Sequence, residues 1–322
     1  MITETLDEAI LTGQTRAVAK AISMVEQGHD ESAQLLSRLR PYAQRGHLIG
    51  LTGSPGAGKS TLVGELAKEF RARGKTVGVI AIDPSSPYTG GAFLGDRVRM
   101  PELASDPGVY VRSMASRGSS GGLASAVEDA ALILKAAGKD IVLVETVGVG
   151  QGELDVANIA QTVVVVLTPG MGDEIQSLKA GILEVADIYV VNKADLPGAD
   201  VVARSLQALA HQNASNWIRP ILQTSSISHE GVPELADAIE NHKRFLSSRR
   251  TASQPEIHRA VQTIISHAGR QMMRELELSV DPRRLEQLAA DLVAGNIDPR
   301  QAAEEAVRLY LEAHLATTPR VW

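Results

Sequence analysis

No cysteine occurs among the 322 residues of this chain, so disulfides and thiolate metal sites are both excluded. No apolar run approaches the ~20 residues that a membrane-spanning helix needs, and the start lacks the pattern of a signal peptide. We therefore expect a cytoplasmic protein without a membrane span. The net charge is −6 with no long stripe of Lys and Arg, which argues against binding to nucleic acid or to a membrane surface. The eight histidines are scattered, which gives little support to a metal-delivering protein.

What the sequence does contain is a phosphate-binding loop. Residues 53–60 read GSPGAGKS, the full G-x4-G-K-S pattern. A short apolar run, 47–52, precedes the loop, and a segment with helical spacing, 60–73, follows it. Strand, loop and helix in this order place backbone N–H groups and a helix N-terminus around phosphate oxygens. The alternative is a glycine-rich turn between a strand and a helix, but such a turn does not require all eight residues.

The positions of the loop have separate expected roles. Lys59 is expected to bridge the β- and γ-phosphates, and Ser60 is expected to place its hydroxyl on Mg²⁺. The glycines let the backbone curl around the phosphates without a Cβ in the way. The predicted nucleotide-binding residues of the loop are Gly53, Ser54, Pro55, Gly56, Ala57, Gly58, Lys59, Ser60 and Thr61.

A second motif, NKAD at 192–195, follows the apolar run 186–191. Asp195 can accept hydrogen bonds from N1–H and from the exocyclic amine of guanine. Adenine presents an acceptor and a C–H at the same positions, so a carboxylate there would go unpaired. Alone, the motif is short enough to be a polar turn; with the phosphate loop it predicts GTP as the nucleotide.

The neighbours of Asp195 are expected to complete the base site. Lys193 can lay its aliphatic stem along the base plane. Asn192 is expected to tie the loop either to the ring edge or to the phosphate loop. Thr224, Ser225 and Ser226 follow a partly apolar segment and form a candidate second loop on the base side.

Two acidic residues follow predicted strands between these motifs. The run 76–82 leads into Asp83, and the run 141–144 leads into Glu145, where most GTPases carry aspartate. A carboxylate at a strand tip can hold Mg²⁺ directly or through water. Spacing alone leaves Asp83 open as an aspartate that starts a turn before proline.

Together these elements predict an α/β fold, a P-loop NTPase with a mostly parallel central sheet flanked by helices. We expect N-terminal helices over 1–45, a GTPase domain over 46–247 and a C-terminal helical dimerisation region over 248–322. In the first segment, Leu35, Leu36 and Leu39 are expected to face the GTPase domain.

The C-terminal region is marked by helix signals. A helix over about 255–277 carries an apolar stripe, which spacing alone leaves open as intrachain core or as a dimer face. Asp281-Pro282 and Asp298-Pro299 each predict an N-cap followed by proline, and Gly295 predicts the end of the first of these two helices. The stripe consists of Ile257, Val261, Ile264 and Ile265.

Most of residues 50–195 resembles one known family. The chain is similar to the methylmalonyl-CoA mutase-associated GTPases, the MeaB/ArgK family of SIMIBI-class P-loop GTPases, long described as arginine/ornithine transport kinases. The Glu-x-x-Gly variant at Glu145 is itself typical of this branch. The matching strings are GSPGAGKST (53–61), VIAIDPSSPYTGGAFLGDRVRM (79–100), RGSSGGL (117–123), VETVGVGQGE (144–153) and PGMGDEIQSLKAGILEVADIYVVNKAD (169–195).

The resemblance implies further roles for this chain. Asp83 and Asp96 would lie on switch I and act on Mg²⁺ and hydrolysis, and Glu145 would begin switch II. A third switch, through which a partner mutase accelerates hydrolysis, would include Asp173, Gln176 and Lys179. Family members gate the loading of the cobalamin cofactor and protect the mutase from inactivation. They are typically homodimers held by C-terminal helices.

The predicted function is Mg²⁺-dependent hydrolysis of GTP to GDP and phosphate, in the service of an adenosylcobalamin-dependent acyl-CoA mutase. One alternative is a kinase linked to arginine/ornithine transport, for which no acceptor-binding motif is visible. Another is a scaffold that binds nucleotide without hydrolysing it, and the intact hydrolysis motifs argue against that. The candidate catalytic residues are Lys59, Asp83, Asp96 and Glu145, and the candidate metal ligands are Ser60, Asp83, Asp96 and Glu145.

Overall fold

A computed structural model describes residues 5–29, 31–84, 100–116, 122–146, 152–170, 182–210, 217–249 and 254–317. The chain divides into two compact units, Met1–Ala260 and Val261–Trp322. Within the described ranges, no helix has the length and apolar character needed to cross a membrane.

Within the described part of the first unit, seven strands form the central sheet. They are β1 (His47–Gly53), β2 (Val77–Pro84), β3 (Val109–Ser116), β4 (Ile141–Glu145), β5 (Thr162–Leu167), β6 (Ile188–Asn192) and β7 (Ile221–Thr224). Their order in the sheet is β3-β2-β4-β1-β5-β6-β7, and every neighbouring pair is parallel. The predicted mostly parallel α/β sheet is confirmed.

The helices of this unit precede β1, lie between successive strands along the sequence, or follow β7. They are α1 (Leu6–Leu11), α2 (Thr15–Gln27), α3 (Glu31–Leu39), α4 (Lys59–Ala72), α5 (Pro101–Ala104), α6 (Gly122–Ala136), α7 (Gly152–Ile159), α8 (Ile182–Val185), α9 (Ala199–Ala210), α10 (Val232–Ser248) and the start of α11 (Gln254–Ser279). A 3₁₀ turn at Arg40–Tyr42 ends the N-terminal helices.

The helices cover both faces of the sheet. On one face, α1–α3 and α6 pack in a single apolar cluster against alternate residues of β2 and β4, such as Ile80 and Val142. On the other face, α4 and α10 pack against the intervening residues, such as Val79 and Leu143. Because both faces are covered, β1, β4, β5 and β6 are buried along their whole length and read as continuous apolar runs.

The N-terminal leucines lie where they were predicted. Leu35 and Leu39 are buried in the cluster that contains the β2 and β4 residues, and Leu36 packs against it. Strand β3, by contrast, was not predicted. It lies at the edge of the sheet, its residues are mostly half-buried, and Arg112 in its middle pairs with Glu26 of α2. An edge strand with a charged residue does not read as an apolar run.

A buried polar chain fixes α10 to the strand ends opposite the phosphate loop. His47 Nε2 lies 2.7 Å from Thr162 Oγ1, which lies 2.8 Å from His242 Nδ1 of α10. Burial, with smaller contributions from Lys243 and His242, lowers the pKa of His47 to about 3, so its imidazole is neutral at physiological pH. The contacts join β1, β5 and α10 by hydrogen bonds as well as by apolar packing.

The second unit contains the C-terminal part of α11 and two further helices, α12 (Pro282–Val293) and α13 (Pro299–Thr317). Both predicted N-caps are confirmed: Asp281 Oδ1 accepts from the Arg283 amide at 3.0 Å, and Asp298 Oδ1 accepts from the Arg300 amide at 2.8 Å. Gly295, with φ +75°, follows the end of α12 as predicted.

The apolar stripe of α11 is exposed. The exposed fractions are 46% for Ile257, 43% for Val261, 66% for Ile264 and 58% for Ile265. The interpretation of this stripe as intrachain core is therefore wrong for this chain.

Candidate nucleotide-binding site

The predicted motifs meet at the carboxyl edge of the sheet. In the parallel register Gly53 lies opposite Val166, Glu145 lies opposite Leu51, and Asn192 lies opposite Thr224. The phosphate loop, Glu145 and both base-side segments thus follow strands that end together. This edge is where open α/β sheets bind their ligands.

Two glycines of the phosphate loop are required by the backbone. Gly53 has φ +130°, and a Cβ on it would lie 2.0 Å from the Val166 carbonyl oxygen. Gly58 has φ +81°, and a Cβ there would lie 2.6 Å from Asn192 Nδ2. Gly58 is also the N-cap of α4 and supplies no capping side chain. Because Gly58 has no side chain to accept hydrogen bonds from the first N–H groups of α4, these groups can bind an anion.

Lys59 lies inside the curl of the loop. Its side chain is buried, and Nζ donates to the carbonyl oxygens of Gly53 at 2.6 Å and Ser54 at 2.9 Å. A lysine ammonium has three donors and no acceptor. The loop carbonyls thus hold a positive charge next to the N-terminus of α4, which itself attracts anions.

Asn192 joins the phosphate loop to the base-side segments. Its Nδ2 donates to the Ala57 carbonyl oxygen at 2.9 Å, and its Oδ1 accepts from Thr224 Oγ1 at 3.0 Å and Ser226 Oγ at 2.9 Å. Asn192 is 1% exposed, so these bonds satisfy a buried amide. The sequence left open whether Asn192 bonds to the ring edge of the base or to the phosphate loop; in the structure it bonds to the phosphate loop.

Lys193 also contacts the phosphate loop. It adopts a left-handed conformation, with φ +58°, and its Nζ donates to the Gly56 carbonyl oxygen at 2.8 Å. Its extended stem therefore crosses the space between the two motifs. An aliphatic stem held in this way offers a surface on which a planar ring can lie.

Asp195 faces the second base-side loop. Its Oδ1 accepts from Ser225 Oγ at 2.8 Å, and the Ala194 amide donates to the Thr224 carbonyl oxygen at 3.0 Å. A carboxylate has about four lone-pair sites, so the bond from Ser225 leaves capacity for further N–H donors. The hydroxyl fixes the orientation of a carboxylate that can read guanine.

Ser60 and Glu145 meet beside the phosphate loop. Ser60 Oγ donates to Glu145 Oε1, and Glu145 is buried at the end of β4. A hydroxyl and a carboxylate are hard oxygen ligands of the kind that Mg²⁺ prefers, and their oxygens already lie in contact. The pair therefore fits a magnesium ion that also binds phosphate oxygens.

For several predicted site residues the structure does not describe the side chain. The backbone of Asp83 lies near the end of β2, two residues past Ala81, which is opposite Glu145, but its side chain lies outside the described residues. Asp96 and the third-switch residues Asp173, Gln176 and Lys179 also lie outside them. Their roles stay predictions.

One contact of the base-side loop was not predicted. His229, at the end of this loop, bonds to Glu65 and Glu69 of α4. The i, i+4 spacing of the two glutamates is visible in the sequence. Their partner, 160 and more residues away, gives no local signal.

Comparisons with known proteins agree with this geometry. A family model described as methylmalonyl-CoA mutase-associated GTPase MeaB matches residues 18–278. A protein of Pyrococcus horikoshii is 42% identical over 311 residues, which cover 93% of this chain and 95% of the relative. GTPase ArgK of Escherichia coli is 34% identical over 279 residues, 84% of each chain. A crystal structure named LAO/AO transport system kinase superposes with a TM-score of 0.68 at 26% identity, covering 94% of this chain and 95% of that one.

Proposed function

We propose a chaperone function for this chain, which belongs to the methylmalonyl-CoA mutase-associated GTPase family, MeaB. The protein is a GTPase, as its relatives are named. We propose which residues carry out GTP hydrolysis and which partner protein depends on it. The observation that supports GTP hydrolysis most directly is the pair of hydrogen bonds by which Asn192 links the phosphate loop to the base-side loop, and the family description supports the partner.

In the proposed reaction, water attacks the γ-phosphorus, the bond to the β–γ bridging oxygen breaks, and GDP and inorganic phosphate leave. Lys59 Nζ, held by the loop carbonyls, donates to β- and γ-phosphate oxygens and stabilises the charge that develops there. The N–H groups at the start of α4 contribute to the same charge stabilisation. Asp195 selects guanine, and Asn192 keeps the base and phosphate ends at a fixed separation.

Ser60 and Glu145 would hold Mg²⁺, with Asp83 and Asp96 as further proposed ligands. The bound ion would supply positive charge to the β- and γ-phosphate oxygens. Glu145 is buried at the end of a rigid central strand, and the Thr146 amide donates to the Leu51 carbonyl oxygen at 3.2 Å just after it. This bond fixes the direction in which the chain leaves the strand.

The proposed partner is an adenosylcobalamin-dependent acyl-CoA mutase, methylmalonyl-CoA mutase or a relative. The family description supports the association with the mutase. The further proposal is that the nucleotide state gates cofactor loading and protects the mutase from inactivation, with Asp173, Gln176 and Lys179 transmitting its effect. Among the residues that the structure describes, no arginine at the site can be assigned to stabilise the transition state in cis, so we expect intrinsic hydrolysis to be slow.

The cognate mutase is expected to raise the GTP hydrolysis rate by roughly tenfold or more, as a partner protein does when it completes the stabilisation of the transition state. The measurement is phosphate release at saturating GTP and Mg²⁺, with and without purified mutase. An acyl-CoA-dependent enzyme that needs no cobalamin is the control protein. An unchanged rate with the correct mutase would reject the coupling.

A second candidate function is a kinase linked to arginine/ornithine transport, which the name of the superposed crystal structure favours. The same assay separates the two. Hydrolysis releases phosphate in the absence of any acceptor, whereas a kinase transfers labelled γ-phosphate to a protein or small molecule. Stoichiometric phosphate release without a labelled acceptor would rule out the kinase.

We also propose that the chain forms a homodimer through α11. The exposed stripe lies on a helix of 26 residues, and its apolar residues from Ile257 to Met273 span about 24 Å at 1.5 Å per residue. Met272 and Met273, each 59% exposed, extend the apolar surface towards the end of the helix. Monomeric proteins rarely expose a continuous apolar surface of this length.

The wild-type chain is expected to have twice its chain mass of 34.2 kDa by light scattering at micromolar concentration. Changing Ile264 and Ile265 together to Glu should shift the mass to that of one chain, because charges at the centre of an apolar interface are desolvated without partners. Val201→Glu, at a 60% exposed position on α9, is the matched control and should leave the mass unchanged. A single-chain mass for the wild type would refute the homodimer.

A further inference from the structure

His229 lies between two carboxylates of the phosphate-loop helix. Its Nδ1 lies 2.9 Å from Glu65 Oε2, and its Nε2 lies 3.3 Å from Glu69 Oε2. Glu65 and Glu69 are one turn apart on α4, so a single imidazole reaches both. Each ring nitrogen thus lies within reach of a carboxylate oxygen, one on each of the two glutamates.

The second oxygen of each carboxylate has its own cation. Glu65 Oε1 accepts from Lys68 at 3.0 Å, and Glu69 Oε1 accepts from Arg73 at 2.8 Å. Burial raises the pKa of Glu65, but the hydrogen bonds from Lys68 and His229 outweigh it and leave the pKa below its usual value. The Arg73 guanidinium, with a smaller contribution from His229, likewise lowers the pKa of Glu69. Both groups are thus carboxylates, each with one oxygen bonded to a cation at the same end of α4 and the other facing His229.

The backbone of His229 is in a conformation that the sequence does not favour by itself. Its φ is +62°, in the left-handed region that residues with a side chain rarely adopt. The Ser225 amide donates to the Glu230 carbonyl oxygen at 2.9 Å, which closes the loop from Ser225 to Glu230 around it. The contacts of the ring with α4 therefore stabilise a loop conformation that would otherwise be disfavoured.

This loop is held at both ends. At its start, Ser225 Oγ donates to Asp195 and Ser226 Oγ donates to Asn192. At its end, His229 holds it to α4, whose first residues Lys59 and Ser60 belong to the phosphate site. Glu65 lies six residues after Lys59, about 9 Å along the helix axis.

We infer that His229 is a positioning residue for guanine recognition, which clamps the base-side loop onto the phosphate-loop helix through Glu65 and Glu69. The inference rests on the proposed recognition of guanine by Asp195. The clamp holds Ser225 where it orients the Asp195 carboxylate. Without the clamp, Ser225 no longer holds the Asp195 carboxylate in position for guanine, while the phosphate loop keeps its contacts with Lys59.

The test compares GDP and ADP binding to the full-length protein, by competition with a fluorescent GDP. His229→Asn tolerates the left-handed backbone but cannot reach both carboxylates, and His229→Gly removes the backbone strain together with the ring. Both are expected to weaken GDP binding roughly tenfold, as for the loss of a charge-assisted hydrogen bond, with ADP binding within about twofold of wild type. The ratio of GDP to ADP affinity should therefore fall, which a general loss of folding would not produce.

A second variant, Glu65→Gln with Glu69→Gln, removes the clamp from the helix side. It should weaken GDP binding to the same extent as His229→Asn, and combining the two should add nothing further, since they remove one interaction. Lys68→Met removes the other cation of Glu65 without contacting the loop and is the matched control, expected to bind GDP as wild type does.

Each outcome decides the inference. GDP binding within twofold of wild type in both His229 variants would overturn it, as would an equal loss in Lys68→Met or additive losses in the combined variant. A wild-type protein that binds ADP as tightly as GDP would refute the proposed guanine site itself, and the clamp with it. Discrimination that is present in the wild type and unchanged in the variants would refute the clamp alone.

Discussion

Replacing Lys59 with Ala is expected to weaken GTP and GDP binding by ~100-fold or more, the largest effect of any single change in this site. The ammonium is buried within the phosphate loop, bonded to the carbonyls of Gly53 and Ser54. Without it, these two oxygens would face the β- and γ-phosphates with no positive charge between them, so like charges would be brought together. The measurement is calorimetric titration of nucleotide-free protein with GDP in the presence of Mg²⁺.

Two further variants are the controls for Lys59→Ala. Lys59→Arg keeps the charge, but a planar guanidinium does not fit where a compact ammonium bonds to two carbonyls, so affinity should remain well below wild type. Lys68→Met removes a lysine from the same helix at a half-exposed position and should bind normally. Wild-type affinity in Lys59→Ala would exclude Lys59 from phosphate binding. Thermal unfolding of each variant separates lost binding from lost folding.

The parts of this protein that were predictable are those in which one segment carries the signal. Strands β1, β4 and β5 are buried on both faces and therefore read as apolar runs. The phosphate loop needs glycine at Gly53 and Gly58 because both have a positive φ, which is a property of the loop itself. The same reasoning could not detect β3. Its edge position leaves it half-buried, and Arg112 interrupts any apolar pattern.

Interactions between distant segments could be predicted only as alternatives or not at all. Asn192 had two chemically reasonable partners, and the choice of Ala57 depends on how closely β6 and the phosphate loop approach each other in the folded sheet. The clamp from His229 to α4 spans 160 and more residues, and a lone histidine in a loop is most often a surface residue. The exposure of the α11 stripe likewise depends on what the rest of the chain covers, which helical spacing does not contain.

Changing Asp195 to Asn is expected to transfer the preference of the enzyme from guanine to xanthine nucleotides. The carboxylate accepts from N1–H and from the exocyclic amine of guanine. The amide of Asn instead presents an NH₂ group, which opposes that amine but matches the carbonyl at C2 of xanthine. Ser225 Oγ donates to Asp195 Oδ1 at 2.8 Å, and the amide oxygen of Asn can accept the same bond, so the side chain should keep its orientation. We expect the ratio of kcat/KM for GTP over XTP to fall by roughly a hundredfold or more, because a side chain that hydrogen-bonds a substrate group discriminates strongly against an analogue that cannot make the bond.

The matched control for Asp195→Asn is Asp200→Asn, the same change at an exposed position five residues later. Asp200 accepts a hydrogen bond from Gln223 on the strand that leads into the base-side loop, so this variant removes a nearby charge without touching the proposed base contact. It should keep the wild-type preference for GTP.

If Asp195→Asn also keeps that preference, Asp195 does not read the base. If the Asp195→Asn variant binds neither GTP nor XTP but still binds pyrophosphate at the phosphate loop, Asp195 supports the loop structure instead of selecting guanine. Reversal of the preference requires direct contact, because only a side chain that touches C2 can distinguish an amine from a carbonyl there.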